Sequence, residues 1–325
     1  MRRRDIILSL AATMLSRAAF AQNAPAKVAR IGFLQNSTAS DLGRRDAFAA
    51  GMLERGFEEG RDFLLVMRFA DGHLDRLPAL AAELVQERVG VIVAAGGAAV
   101  RAAQQATKEI PIVVPIIGDP VAGGYVSSLA HPGGNVTGLS MNNSDISAKR
   151  LQLLRELSPG IARVVALGEP SMALESGWNE VRSAAQSLGV ELRYVEISTD
   201  DFEPAFAFAR SERAEAMIVL PTAFFNLKSR RVRFADLSLK YGFPTIYEEK
   251  SYVQDGGLMS YGPDFLEMYR QSAAHVAKIL KGAKPADLPF EQPNKYVLAI
   301  NLRTAKALGI SIPQTLLVRA DEVLD

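Results

Sequence analysis

Arg30-Ile-Gly-Phe-Leu34 and Arg163-Val-Val-Ala-Leu167 lie 133 residues apart, and the same offset recurs along the chain. Gly56, at the end of the first helical stretch, is matched by Gly189, and Ile110-Pro-Ile-Val113 by Phe243-Pro-Thr-Ile246. Val91-Ile-Val-Ala-Ala95 finds a counterpart in Met217-Ile-Val-Leu-Pro221 at a slightly shorter offset. Any one pair of short apolar segments matches easily by chance. Their shared order and spacing predict two similar α/β lobes, not one long sheet.

Between these anchors, strands and helices alternate, which implies βαβ units and parallel sheets. The wholly apolar run at Val91–Ala95 fits a strand covered by helices on both faces. Phe63–Phe69 reads as a strand and Asp41–Gly56 as a helix ended by glycine. Leu74, Leu77, Ala81, Leu84 and Val85 recur at helical spacing. Beyond the repeat, Leu258–Tyr261 adds a strand. Asp264 and Glu267 stand at capping-box spacing before a helix with Phe265, Met268, Ser272, Val276 and Ile279 on its buried face. Ala283–Pro293 reads as a linker, followed by a strand at Tyr296–Ile300 and a helix at Thr304–Leu308. Two lobes plus this tail predict a chain that crosses between lobes more than once. The first lobe is expected to hold 27–141 plus 261–284, the second 142–260 plus 290–325.

The chain has 325 residues, enough for two domains. Lys and Arg total 37 against 36 Asp and Glu, so no basic excess points to nucleic acid. With no cysteine, disulfides, thiolate metal sites and cysteine nucleophiles are excluded together. Arg2, Arg3 and Arg4, the apolar run Ile6–Leu15 and Ala19-Phe20-Ala21 follow the order of a secretory signal peptide. Residues 1–21 are therefore expected to be removed after Ala21, leaving an exported periplasmic protein that begins at Gln22. The Arg run leaves open which export route is used.

Reactive constellations are missing. His73, His131 and His275 lack metal spacing, and each reads as a surface residue. There is no H-E-x-x-H, no G-x-S-x-G and no P-loop. The first strand ends in Gln35-Asn36-Ser37-Thr38, not in a dinucleotide fingerprint. Neither catalysis nor a cofactor nor a metal is expected. Binding features are better represented, because ligands of open α/β sheets sit beyond the carboxyl ends of the strands. Small or polar residues follow several of those ends: Gln35, Asn36 and Ser37, Gly96 and Gly97, then Asp119 and Pro120. In the second lobe the matching positions are Glu169, Thr222 with Phe224, and Tyr247 with Glu248. A helix starting at Gly96-Gly97 offers free N–H groups to a carboxylate. Asp119 and Glu248 could face one amine across a cleft, with Phe224 and Tyr247 stacking on the ligand body. The alternatives are ordinary turn chemistry for Gly96, Asp119 and Pro120, a sealed lobe edge for Phe224-Phe225, and a solvated Glu248.

Several blocks carry a family resemblance: Gly118-Asp-Pro-Val121, His131-Pro-Gly-Gly-Asn-Val-Thr-Gly138, Ala148-Lys-Arg-Leu151 and Gly256-Gly-Leu-Met-Ser-Tyr-Gly262. Ile279-Leu-Lys-Gly-Ala-Lys-Pro-Ala-Asp-Leu-Pro289, Ile300-Asn-Leu-Arg-Thr-Ala-Lys-Ala-Leu-Gly309 and Leu316-Leu-Val-Arg-Ala-Asp-Glu-Val323 extend it. On these the chain resembles the substrate-binding proteins of ABC transporters, in the family that includes tryptophan- and tyrosine-binding members. The resemblance implies a type I periplasmic binding fold: two Rossmann-like lobes, a hinge of crossovers and ligand in the cleft. It further implies a monomer that captures a small molecule, an amino acid or related compound, and delivers it to an ABC permease in the inner membrane. A binding module feeding a periplasmic sensor or receptor is the alternative, with a periplasmic enzyme third. Glu169-Pro-Ser-Met172 departs from the Asn-Pro-Asn-like turn common in the family, and Gly96-Gly-Ala-Ala99 from its usual small polar residue. Both departures leave the ligand open.

Overall fold

A computed structural model describes residues 28–39, 42–141, 145–168, 172–221 and 223–325. The signal segment, Glu169 and Thr222 lie outside the described residues. The first lobe is built on a five-stranded sheet in the order β2-β1-β3-β4-β5, all parallel. These strands are β1 (Ala29–Gln35), β2 (Phe63–Phe69), β3 (Val91–Ala94), β4 (Ile112–Val114) and β5 (Val136–Gly138). Alternation along β1 shows why both faces must be covered. Ile31 and Phe33 pack with Phe48 and Met52 of α1 (Gly43–Leu53), while Leu34 turns to Leu77 and Leu84 of α2 (Leu77–Gln86) and Val100 of α3 (Gly97–Ala106).

The second lobe carries a seven-stranded sheet, β12-β11-β10-β9-β8-β6-β7. Its strands are β6 (Arg163–Gly168), β7 (Glu191–Glu196), β8 (Ala216–Val219), β9 (Thr245–Tyr247), β10 (Met259–Pro263), β11 (Tyr296–Asn301) and β12 (Glu322–Leu324). Only β10 and β11 pair antiparallel. One face packs on α4 (Asp145–Leu157) and α5 (Met172–Leu188) through Leu151, Leu154, Val181 and Ala185. The other holds an aromatic core of Phe202, Phe206, Phe225, Phe234, Tyr247 and Tyr252, drawn partly from α6 (Glu203–Ser211), α7 (Lys228–Tyr241) and α8 (Lys250–Gln254).

The chain passes between the sheets after Met141, between Pro263 and Phe265, and between Glu291 and Tyr296. Helix α9 (Phe265–Leu280) follows β10 of the second sheet yet buries Phe265, Met268 and Tyr269 in the first lobe's core. It lies so close to α1 that a Cβ on Gly51 would stand 2.2 Å from the Arg270 carbonyl oxygen. Two of the expected lobe limits shift. Tyr261–Pro263 stay with the second sheet, because pairing with β11 runs through Pro263 opposite Tyr296. Phe290 and Glu291 stay with the first, their amides donating to Leu129 O and Gly138 O. Asp264 caps α9 by accepting from the Leu266 and Glu267 amides. Glu267 does not complete the capping box; it pairs with Arg270 instead.

Candidate functional site

The carboxyl ends of β1, β3 and β4 bring the first lobe's candidates to one edge of its sheet. Gln35, Asn36 and Ser37 are all buried there. Gln35 Oε1 accepts from Tyr269 Oη of α9 at 2.8 Å, and its Nε2 is buried with no partner among the described residues. The backbone oxygens of this segment accept from the next loop: Ala70 N to Gln35, Gly72 N to Asn36 and Asp71 N to Ser37. Gly96 has φ 81°, open to glycine, and precedes the first turn of α3. A Cβ on Gly97 would sit 2.4 Å from Tyr125 Oη. That hydroxyl lies 3.1 Å from Arg101 Nη2, so tyrosine and arginine both stand beside the α3 N-terminus.

Asp119 takes the turn-capping role. Its Oδ1 accepts from the Val121 and Ala122 amides, each at 2.9 Å, while the buried Pro120 presents its carbonyl to Tyr125 N. Across in the second lobe, Phe224 is half-buried. The Arg230 guanidinium lies 4.0 Å over its ring, and Phe202 and Phe225 meet it edge-on. Phe225 is buried in the second lobe's aromatic core.

Tyr247 and Glu248 are placed otherwise than expected. Tyr247 is fully buried and stacks at 4.8 Å on Tyr252, with its hydroxyl 3.4 Å from Ser238 Oγ; burial pushes its pKa up to about 12. Its ring belongs to the aromatic core, because β9 directs that side chain to the α7–α8 face. Glu248 is not solvated. It is 4% exposed and counters the charge of Arg150, itself 2% exposed. Burial lowers the Arg150 pKa, Glu248 opposes that shift, and Arg150 Nε donates to Tyr261 O at 2.7 Å. Arg150 projects from α4, just past the first crossing, to β10, just before the second. An amine clamp between Asp119 and Glu248 therefore competes with a turn on one side and a buried arginine on the other. The arginine was visible in the sequence as a charge at the centre of Ala148-Lys-Arg-Leu151 but carried no sign of its burial.

His275 is also corrected. It is 1% exposed, with Nε2 3.1 Å from Pro289 O and Nδ1 buried with no partner among the described residues. Burial lowers its pKa below 6.5; Pro289 O and Glu291 oppose the shift, while Lys278 and Arg55 add to it. The unfolded chain thus binds a proton near pH 6.5 that the folded chain refuses. Stability should be flat above that pH and fall below it, by at most about 1.4 kcal/mol per pH unit, until the folded pKa is reached. Urea unfolding of His275→Gln against the parent between pH 7.5 and 5 checks this. The parent's extra loss on acidification should vanish in the variant, and parallel curves would contradict it.

The family profile described as ABC transporter substrate binding protein matches residues 29–324, both sheets included. The chain belongs to the ABC transporter substrate-binding protein family. The tyrosine-binding protein of Clostridioides difficile strain R20291 is 24% identical over 267 residues, 82% of this chain and 76% of that one. A conserved domain protein of Vibrio cholerae is 27% identical with a TM-score of 0.85, covering 91% of this chain and 100% of its own. The ABC domain of Streptococcus pneumoniae, solved with L-Trp, is 23% identical with a TM-score of 0.84, covering 92% and 100%. The fold is that of type I periplasmic binding proteins, two parallel α/β lobes whose sheets the chain visits in turn.

Proposed function

We propose that this substrate-binding protein captures an amino acid between its two lobes and hands it to an ABC permease in the inner membrane, after export and cleavage behind Ala21. The lobes would be the bodies built on the two sheets, hinged at the three crossings. The observation that carries the reading is the buried edge Gln35–Ser37. An unpaired amide such as Gln35 Nε2 typically costs about 1–3 kcal/mol, a penalty that a ligand oxygen arriving in the cleft relieves. Asn36, Ser37, Gly96 and Gly97 from one lobe and Phe224 from the other complete the proposed lining. The tyrosine-binding relative and the L-Trp complex support an aromatic amino acid as ligand. No chemistry is assigned: ligand meets one lobe first, then draws in the second through contacts made only on closure.

Thermal unfolding of the protein lacking residues 1–21, with L-tyrosine, L-tryptophan and a panel of other amino acids, sugars and carboxylates, tests the reading. A cognate ligand at about 100 times its Kd adds about 2.7 kcal/mol of stability. A clear upward shift with an amino acid is expected. A shift only with sugars or aromatic acids lacking an amine would replace the amino acid, and no shift across the panel would remove the capture reading.

A further inference from the structure

A contact between the lobes stands outside the proposed lining. In the loop after β2, Asp71 and Gly72 take successive left-handed conformations, φ 53° and 81°. This loop is tied to Asn36 and Ser37 by the two backbone hydrogen bonds described above, and the Asp71 carboxylate is held by Arg76 at 2.7 Å. Opposite it, Leu227 ends the short helical turn Ala223–Asn226 and precedes α7. A Cβ built on Gly72 would lie 2.5 Å from Leu227 Cδ1, 3.2 Å from its Cγ and 3.6 Å from Arg230 Nη1. A leucine of the second lobe therefore occupies the space that any side chain at residue 72 would need.

We infer that Leu227 and the Gly72 backbone form a knob and socket that latch the two lobes closed at the rim of the cleft. Position gives the contact leverage. β2 is one edge of the first sheet, and β5, where the chain leaves and where Glu291 returns, is the other. Four strand spacings of about 4.8 Å separate them, so a small hinge rotation at β5 becomes a large gap at β2. The socket is bonded to the ligand-facing segment Asn36–Ser37. The knob is continuous with the turn that bears Phe224, and Arg230 braces that turn by donating to Phe224 O at 3.0 Å and pairing with Asp200 at 2.5 Å. A contact made only when the lobes meet stabilises the closed state alone, so it slows release more than it speeds capture. The inference rests on the solute-capture reading for what is enclosed, but not for the contact itself.

The test uses Leu227→Ala, with Leu227→Met as a conservative control. Circular dichroism first establishes an unchanged melting profile for each variant. With L-tyrosine and L-tryptophan as probes, stopped-flow kinetics should show dissociation about three- to tenfold faster in Leu227→Ala, the upper figure being 1.4 kcal/mol of lost closure. Association should be nearly unchanged, and Leu227→Met should release like the parent. Equal dissociation rates in parent and Leu227→Ala overturn the latch. Should neither amino acid bind the parent, that ligand assignment fails separately. Small-angle scattering without ligand then decides the latch: an expanded profile for Leu227→Ala supports it, and superimposable profiles refute it.

Discussion

Arg150→Met is expected to lower folding stability by about 3–5 kcal/mol, the usual result of removing one partner from a buried charge pair. The change keeps most of the side-chain length but removes the positive charge that Glu248 counters and the donor to the Tyr261 carbonyl. The loss is large against the roughly 5–15 kcal/mol that holds a typical domain folded. Glu248→Gln keeps the shape and discards the charge, so the double variant should recover part of the loss, with a coupling of about 0.5–3 kcal/mol. Urea unfolding of the parent, both single variants and the double variant measures it. A single-variant loss below about 1 kcal/mol, or strictly additive losses, would show that Arg150 and Glu248 do not act as a pair. The same cycle bears on the site. Because Arg150 joins α4 to β10 beside two crossings, removing it should loosen the second lobe where the hinge begins.

Arg150 also marks the limit of what the sequence made legible. The two lobes were readable because buried parallel strands must be apolar throughout, and such runs recurred at one offset. The returning helix α9 was readable because Asp264 and the apolar spacing after it have a local cause. The exposed edge strand β7 and the short closing strand β12 lacked that signal, since half-exposed strands carry no continuous apolar run. Side-chain direction was the harder loss. Tyr247 and Glu248 are adjacent at a strand end, and the sequence does not say that one ring turns into the core while the next carboxylate turns to an arginine from another helix. His275 shows the same limit: a histidine on a helix reads as exposed until Pro289 folds back over it. The position of Gln35, Asn36 and Ser37 was readable because a strand end in a parallel sheet fixes where the next residues go, whatever their side chains do.

Gly138→Ala should be strongly destabilising for the addition of a single methyl group. Gly138 closes β5 opposite Val114, with φ 149°, in a region that residues with side chains rarely adopt. A Cβ there would lie 2.1 Å from Val114 O and 2.6 Å from Val114 N, both backbone atoms of β4 that cannot swing aside. The backbone strain contributes about 1–3 kcal/mol, and forcing an extra methyl into a filled space a similar amount. The summed loss should therefore reach several kcal/mol. The consequence reaches beyond β5. Gly138 O accepts from Glu291 N, and the next amide, Leu139 N, donates to Val114 O, so the same few atoms anchor the outgoing and the returning crossover. Gly134, four residues earlier in the same glycine-rich block, has nothing within 4 Å of its Cβ direction. Gly134→Ala is the matched control and should change stability by no more than about 0.5 kcal/mol, as surface changes usually do. If urea midpoints fall equally for the two variants, close approach of β4 is not what requires glycine at 138. A large drop for Gly138→Ala alone places the requirement at the close approach of β4, beside the carbonyl that anchors the returning chain at Glu291.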